Sequence, residues 1–126
     1  MVTDMKRRVL IVDDEPAILR MVDLVLRQMG LETIPVPTAE AAEEAAERQA
    51  PDFVITDVRL PGKDGVELAR ELRSRPGSAG LPIILMSAYG EPAGHQANSF
   101  LRKPFDIETL VERVSEFIRP DDEDDA

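Results

Sequence analysis

The sequence predicts an α/β fold in which one parallel, doubly wound sheet carries helices on both faces. Short apolar runs rich in β-branched residues recur along the chain, and segments with apolar residues at helical spacing separate them. Runs that are apolar at every position suit strands covered on both sides. Strands that alternate with helices of this length are typical of a parallel sheet. The chain has 126 residues, 43% of them hydrophobic, which suits one domain with a sizeable core.

Five segments of the chain are predicted to be strands. The first, third and fourth are continuous apolar runs, whereas the second and fifth are shorter and weaker. In chain order, the five segments are residues 9–12, 34–36, 53–56, 83–86 and 100–101.

Capping residues and apolar spacing predict helices between these strands. Pro16 suits the first turn of a helix that Gly30 is placed to end. Thr38 is placed to cap an alanine-rich helix, and a third helix follows over residues 65–74. Asp106 is placed to cap a last helix. One apolar stripe along that helix consists of Ile107, Leu110, Val111, Val114 and Ile118. The whole pattern is that of five β/α units.

Polar residues stand where four of the predicted strands end. The carboxyl ends of parallel strands share one edge of the sheet, and functional crevices lie there. Taken singly, each residue has an ordinary interpretation as a helix cap, a turn residue or a solvated side chain. Their coincidence at four strand ends favours a site instead. In chain order, the residues are Asp13, Asp14, Glu15, Asp57, Ser87 and Lys103.

The residue types at this edge suit phosphoryl transfer. Crowded carboxylates raise one another's pKa, and a hard divalent cation such as Mg²⁺ offsets that repulsion. The Asp57 carboxylate is the natural nucleophile toward phosphorus. The Lys103 ammonium and the Ser87 hydroxyl suit phosphoryl oxygens. Such a transfer needs positioning and charge neutralisation more than covalent chemistry.

The composition excludes several classes of function. The net charge of −10 argues against binding of nucleic acid or of anionic membranes. Cysteine is absent, which excludes disulfides, zinc–thiolate sites and thiol nucleophiles. The single histidine, His95, is expected to be exposed and without a role. No apolar run approaches the ~20 residues of a membrane span, and no signal-peptide pattern is present, which predicts a cytoplasmic protein.

Charge is concentrated at the carboxyl end of the chain. Residues 120–126 are acidic after Pro120, and such a block repels itself and does not pack. We therefore expect one domain over residues 1–119 and a disordered acidic tail over residues 120–126.

The chain resembles the receiver domain of bacterial two-component response regulators. The resemblance covers about residues 7–119 and rests on the segments 10–15, 57–65, 86–88 and 103–105, in that order and spacing. It implies a flavodoxin-like sheet of five strands in the order 2-1-3-4-5. It also implies a switch that accepts a phosphoryl group on Asp57 from a sensor histidine kinase or a phosphotransfer protein.

The same resemblance implies a metal site. Asp14 would bind Mg²⁺ directly, and Asp13 would act mainly through metal-bound water. Asp57 would be both a ligand and the phosphoacceptor, and the backbone carbonyl of Arg59 would complete the protein ligands. Mn²⁺ would substitute for Mg²⁺.

The resemblance further implies the parts of a switch. Ser87 would move toward the phosphoryl group after transfer, and Lys103 would pair with it. Phe100 stands at the aromatic switch position. The Lys103–Pro104 peptide bond is expected to be cis.

Two departures from the family pattern carry expectations of their own. The segment between Ser87 and Lys103 is several residues shorter than usual and contains two glycines and a proline, which predicts a shortened or irregular fourth helix. Arg59 and Tyr89 stand two residues after Asp57 and Ser87, where the family admits the hydrolytic water. Both side chains are large, which predicts slow self-dephosphorylation.

Other functions remain open at this point. A degenerate receiver that acts as a phosphorylation-independent scaffold is compatible with the irregular fourth helix. A haloacid dehalogenase-type phosphohydrolase needs an acid/base Asp where Arg59 stands. A dinucleotide-binding enzyme needs a glycine-rich first turn, and residues 13–17 contain no glycine. The expected output is contact with a protein target, by a monomer or a phosphorylation-dependent homodimer, and no metabolic reaction.

Overall fold

The computed structural model describes residues 7–118, and the predicted acidic tail over residues 120–126 lies outside the described residues. Nine elements follow one another in this part of the chain. They are β1 (Arg8–Val12), α1 (Pro16–Gln28), β2 (Glu32–Val36), α2 (Ala39–Arg48), β3 (Phe53–Asp57), α3 (Gly65–Arg73), β4 (Ile83–Ser87), β5 (Ser99–Arg102) and α4 (Ile107–Ser115). The predicted α/β class and all five predicted strands are confirmed.

The five strands form one parallel sheet in the order β2-β1-β3-β4-β5, as the resemblance implied. Every residue of β3 and β4 is buried, whereas the edge strands β2 and β5 are partly exposed. The order reverses beside β1, which has β2 on one side and β3 on the other. Such a reversal opens a crevice at the carboxyl ends of the strands.

The two faces of the sheet bury two separate cores. Alternate residues of a strand point to opposite faces. In β1, Val9 and Ile11 pack on the side of α1 and α4, whereas Leu10 and Val12 pack on the side of α2 and α3. The apolar runs of the sequence are therefore continuous because both faces of each central strand are covered.

Side-chain caps begin three of the four helices. Thr38 Oγ1 accepts a hydrogen bond from the Ala41 N–H at 3.0 Å. Asp64 and Asp106 cap α3 and α4 in the same way, at 2.9 and 2.8 Å. The expected apolar stripe of α4 is wrong in one place, because Ile107 is 54% exposed in the first turn.

The expected irregularity at the fourth helix is confirmed, and it is larger than predicted because no helix forms there. Residues 88–98, between β4 and β5, form no helix and contain one turn at residues 93–94. Gly90 and Gly94 adopt φ angles of 98° and 73°, which residues with a side chain rarely adopt. The five predicted β/α units therefore become four helices around five strands among the described residues.

Arg73, at the end of α3, holds this helix-free segment in place. Its Nε donates to the Leu81 carbonyl at 2.9 Å, and its Nη1 donates to the Gln96 carbonyl at 2.7 Å. Its Nη2 donates to Asn98 Oδ1 at 2.6 Å, and the Ile83 N–H donates to the same oxygen at 2.8 Å. One guanidinium thus satisfies two backbone carbonyls and one side-chain oxygen, and ties α3 to both ends of this region.

His95 also belongs to this segment, and the expectation that it is exposed is wrong. Its side chain is 11% exposed, and its Nε2 lies 2.6 Å from Glu91 Oε2. Its Nδ1 accepts a hydrogen bond from the Ala97 N–H at 3.1 Å. His95 therefore links Glu91 to Ala97 within the helix-free segment.

Over residues 7–118, no helix has both the length and the apolar character that a membrane span requires.

Candidate functional site

Parallel strand register brings the predicted polar residues to one edge of the sheet. Val12 is level with Thr56, Asp57 with Met86, and Ser87 with Arg102. The residues at these strand ends are consequently neighbours in space. Asp13, Asp57, Ser87 and Lys103 are buried there, whereas Asp14 is exposed.

Three carboxylates converge at this edge. One oxygen each from Asp13, Asp14 and Asp57 lie within 4.8 Å of one another. Burial raises the pKa of Asp13, and hydrogen bonding and the charge of Lys103 oppose that rise only in part. Folding therefore makes the charged form of Asp13 less favourable than it is in the unfolded chain.

Asp13 is also incompletely paired. Its Oδ1 accepts a hydrogen bond from the Glu15 N–H at 2.9 Å. Its buried Oδ2 lies 2.9 Å from Lys103 Nζ, an ion-pair contact that is not aligned as a hydrogen bond. An under-coordinated buried carboxylate oxygen beside two further carboxylates fits a hard divalent cation such as Mg²⁺.

Lys103 is surrounded by acidic side chains. Its Nζ lies 2.9 Å from both Asp13 Oδ2 and Glu15 Oε1, and 3.0 Å from Asp57 Oδ2. Burial alone would lower the pKa of Lys103, but the three carboxylates outweigh burial and raise it above the usual range. The ammonium is therefore charged at neutral pH. The following Lys103–Pro104 bond is cis, as expected.

The first residue of α3 packs against the backbone of Asp57. The Gly65 N–H donates to the Val58 carbonyl at 2.8 Å. A Cβ built on Gly65 would lie 2.1 Å from the Asp57 carbonyl oxygen. Only glycine allows this close approach. Sequence reasoning recognised Gly65 as the start of a helix but missed this contact.

Two large side chains meet at the exposed rim of the site. The guanidinium carbon of Arg59 lies 4.4 Å from the centroid of the Tyr89 ring, which is a cation–π contact. The Arg59 N–H donates to Asp57 Oδ1 at 3.3 Å, and the Tyr89 N–H donates to Ser87 Oγ at 3.0 Å. The rim pair is thus tied to both Asp57 and Ser87.

Phe100 lies away from the carboxylates. It is half-buried against the core on the side of α2 and α3, level with Leu85 in β4. Its carbonyl accepts a hydrogen bond from Arg113 Nη1 at 2.6 Å.

Glu15 is the site residue to which sequence reasoning assigned no part. It was visible as the third residue of an acidic run, but its side chain contacts Lys103, 88 positions further along the chain. Sequence spacing carries no signal for that contact.

Comparisons with known proteins agree with this geometry. A family model described as the response regulator receiver domain matches residues 9–115. The DNA-binding response regulator MtrA of Mycolicibacterium smegmatis is 32% identical over an alignment of 130 positions. The alignment covers 97% of this chain and 55% of that protein. The chain therefore spans about half the length of the curated relatives it matches.

Two solved structures are also similar. The chemotaxis response regulator CheY4 of Vibrio cholerae is 27% identical with a TM-score of 0.83, covering 90% of this chain and 99% of that one. The receiver domain of a sensor histidine kinase from Pseudomonas aeruginosa is 28% identical with a TM-score of 0.82, covering 90% and 98%. That structure has a magnesium ion coordinated in its active site cleft.

Proposed function

The chain belongs to the response regulator receiver domain family, and from that premise we propose that it is a phosphorylation-dependent signalling switch with Asp57 as its phosphoacceptor. The observation that carries the proposal is the placement of buried Asp57 between the positively charged Lys103 and two further carboxylates. Lys103 Nζ lies 3.0 Å from Asp57 Oδ2, and the Asp13 and Asp14 carboxylates converge on the same residue.

The metal-binding residues follow from the donor set. Asp13, Asp14 and Asp57, with the backbone carbonyl of Arg59, would hold Mg²⁺, and Mn²⁺ would substitute because it also accepts oxygen donors. The bound ion supplies neutralisation of the charge on the phosphoryl oxygens.

The transfer itself uses Asp57 and Lys103. A carboxylate oxygen of Asp57 forms the bond to phosphorus while the bond from phosphorus to the imidazole nitrogen of the donor breaks, and that nitrogen keeps the electron pair. The Lys103 ammonium, already 3.0 Å from Asp57, pairs with the phosphoryl oxygens. The receiver family is not a family of metabolic enzymes, and here the protein itself is the substrate.

The conformational switch would use Ser87 and Phe100. Phosphorylation adds about −1.5 to −2 charges and three acceptor oxygens. The Ser87 hydroxyl, which accepts from the Tyr89 N–H at 3.0 Å, would donate its proton to one of those oxygens. Movement of the chain after β4 would then change the packing of half-buried Phe100. The helix-free residues 88–98 make this output surface particular to this chain.

The partners follow from the chemistry. A sensor histidine kinase or a phosphotransfer protein would supply the phosphoryl group in the cytoplasm. A protein target would read the phosphorylated state, since the net charge of −10 opposes contact of this chain with nucleic acid or an anionic membrane. The chain would act as a monomer or as a phosphorylation-dependent homodimer.

The rim pair supports slow self-dephosphorylation. Water that attacks the phosphoryl group must approach opposite Asp57, past the side chains at the rim. The Arg59–Tyr89 cation–π contact spans that rim and is tied to Asp57 by the Arg59 N–H.

A phosphorylation-independent scaffold is the second candidate. The observation that favours it is the helix-free segment over residues 88–98, which alters the surface next to Ser87. The complete set of Asp57, Ser87 and Lys103 favours the phosphorylated switch instead. The receiver match lends no support to a phosphohydrolase or a dinucleotide-binding enzyme.

Intact-mass measurement after incubation with acetyl phosphate tests the proposal. We expect a single phosphoryl adduct on the wild type that requires Mg²⁺ and is absent from Asp57→Ala. A receiver of established activity, run alongside, shows that the conditions permit labelling. The scaffold would instead show no adduct while that control is labelled.

A further inference from the structure

We propose that Glu15 is a positioning residue, occupying in the unphosphorylated protein the Lys103 donor that a phosphoryl oxygen on Asp57 takes over. The inference rests on the proposed function and adds a residue to it. In this placeholder role, the Glu15 carboxylate binds Lys103 and keeps it oriented toward Asp57. The phosphoryl group then displaces the Glu15 carboxylate from Lys103.

Carboxylate oxygens closely surround Lys103 Nζ before any phosphoryl group arrives. An ammonium group has three N–H donors. Two of these donate to Glu15 Oε1 at 2.9 Å and to Asp57 Oδ2 at 3.0 Å, and Asp13 Oδ2 makes an ion-pair contact at 2.9 Å. Lys103 is only 9% exposed, so the structure leaves little room for water as a further partner. A phosphoryl oxygen that pairs with Lys103 must therefore compete with these three carboxylates for space and charge at the ammonium.

Glu15 is the partner that leaves at least cost. Its side chain is 59% exposed, so its carboxylate regains full hydration on release. Asp13 is fully buried, and releasing it would leave an uncompensated charge in the interior. Asp57 is the group that carries the phosphoryl group, so it does not compete with it.

Among the described hydrogen bonds and ion pairs, the Glu15 side chain contacts only Lys103. Glu15 occupies the N-cap position of α1, yet its side chain makes no capping hydrogen bond. Its backbone supplies the local structure, because its N–H donates to Asp13 and its carbonyl accepts from the Leu19 N–H. A change of its side chain therefore leaves the start of α1 intact and acts through Lys103.

The chain offers a matched control for the loss of one negative charge. Glu67 is exposed in the first turn of α3, a helix that starts at the same edge of the sheet, and its side chain takes part in no described hydrogen bond. Glu67→Gln removes the same charge as Glu15→Gln without touching Lys103. A general effect of net charge on an anionic donor would appear in both variants.

The experiment compares wild type, Glu15→Gln and Glu67→Gln, with acetyl phosphate as the donor and Mg²⁺ present, by intact mass over a range of donor concentrations. We expect the apparent KM of Glu15→Gln for acetyl phosphate to fall by about threefold to fivefold, as for loss of one exposed competing ion pair. The maximal rate should stay near that of wild type, because Asp57 and Lys103 are unchanged. Glu67→Gln should match wild type.

A second readout needs neither metal nor phosphoryl donor. In isotopically labelled protein without Mg²⁺, the Nζ protons of Lys103 should exchange with water faster in Glu15→Gln than in wild type or Glu67→Gln. A purely structural defect would instead lower the melting temperature and the maximal rate.

The outcomes separate the inference from the function. An unchanged KM together with unchanged Nζ exchange in Glu15→Gln overturns the placeholder role, as does an equal fall in KM for Glu67→Gln. Wild type that takes no adduct overturns the proposed function and the inference with it, and the wild-type sample alone reveals that case.

Discussion

A Cβ on Gly65 would lie 2.1 Å from the carbonyl oxygen of Asp57, far inside van der Waals contact. The first residue of α3 therefore packs directly on the backbone of the proposed phosphoacceptor. This contact couples the start of a helix to the position of a carboxylate in the site.

Gly65→Ala should consequently damage both stability and labelling. The added methyl group has only backbone to push against, and overpacking of this kind costs about 1–3 kcal/mol in free energy of unfolding. Displacement of Asp57 should also slow labelling by acetyl phosphate. Urea denaturation and intact mass measure the two effects. Gly80→Ala is the control, since a Cβ there meets nothing within 4 Å. Equal stability of the two variants would contradict the prediction.

Asp13→Asn should stabilise the metal-free protein. Burial raises the pKa of Asp13 in spite of Lys103, so the charged carboxylate lowers the free energy of unfolding relative to a neutral group. The neutral amide removes that cost, and urea denaturation in EDTA should give a higher free energy of unfolding than for wild type.

Added Mg²⁺ should reverse that ranking. An ion that binds only the folded wild type at about 100 times its Kd adds about 2.7 kcal/mol to the free energy of unfolding. Asp13→Asn, which lacks one charged ligand, should gain less. A variant that is less stable than wild type in EDTA, or that gains as much from Mg²⁺, would count against this account.

Replacement of both rim residues by small ones should shorten the life of the phosphorylated form. Arg59→Ser with Tyr89→Ala removes the cation–π contact at 4.4 Å and opens the approach to Asp57. The decay rate should rise by about fivefold, the equivalent of the ~1 kcal/mol of an exposed cation–π contact. The decay of the adduct after removal of donor measures it. Tyr89→Phe keeps the ring and should decay as wild type does; an unchanged lifetime in the double variant would refute the prediction.

Arg73→Met should loosen the helix-free segment. The change leaves two backbone carbonyls and Asn98 Oδ1 without their guanidinium donor. Loss of hydrogen bonds to a charged group of this kind costs about 1–3 kcal/mol. Hydrogen exchange should accelerate over residues 94–98 in particular. Arg20→Met, an exposed arginine of α1 on the other face of the sheet, should leave that exchange unaltered.

Asp106→Ala should destabilise the protein in a pH-dependent manner. The Thr109 N–H donates to Asp106, and this bond lowers the pKa of Asp106 below 3.8. A carboxyl whose pKa is lowered by folding contributes stability above its unfolded pKa and loses it as the pH falls through the folded pKa. The deficit in melting temperature should therefore be present at neutral pH and shrink below pH 3.8. Asp106→Asn keeps the cap and should show neither effect.

Much of the fold could be predicted from the sequence because local patterns determine it. Continuous apolar runs indicated β1, β3 and β4, since both faces of these strands are buried. Thr38 and Asp106 indicated helix starts because their short side chains bond a nearby N–H. Gly90, Pro92 and Gly94 indicated the irregular segment because glycine and proline are poor helix formers; the structure shows both glycines at positive φ angles.

The convergence of the site was also within reach of the sequence. Parallel strands end at one edge, so the positions of Asp13, Asp57, Ser87 and Lys103 along the chain were sufficient to predict that they meet. The roles proposed for these residues stay predictions until labelling tests them.

Contacts between distant segments were decided only by the tertiary structure. His95 was misjudged because its burial depends on how residues 88–98 fold back, and Ile107 because it lies in the first turn of α4 on the solvent side. The three hydrogen bonds of Arg73 depend on how closely the end of α3 approaches Leu81, Gln96 and Asn98. The sequence by itself determined which groups stand at the strand ends, because strand and helix periods are local properties. The pairing of Glu15 with Lys103, 88 positions apart, depends on tertiary packing. A side chain pairs with the groups that lie near it in space, and the sequence does not specify which groups those are.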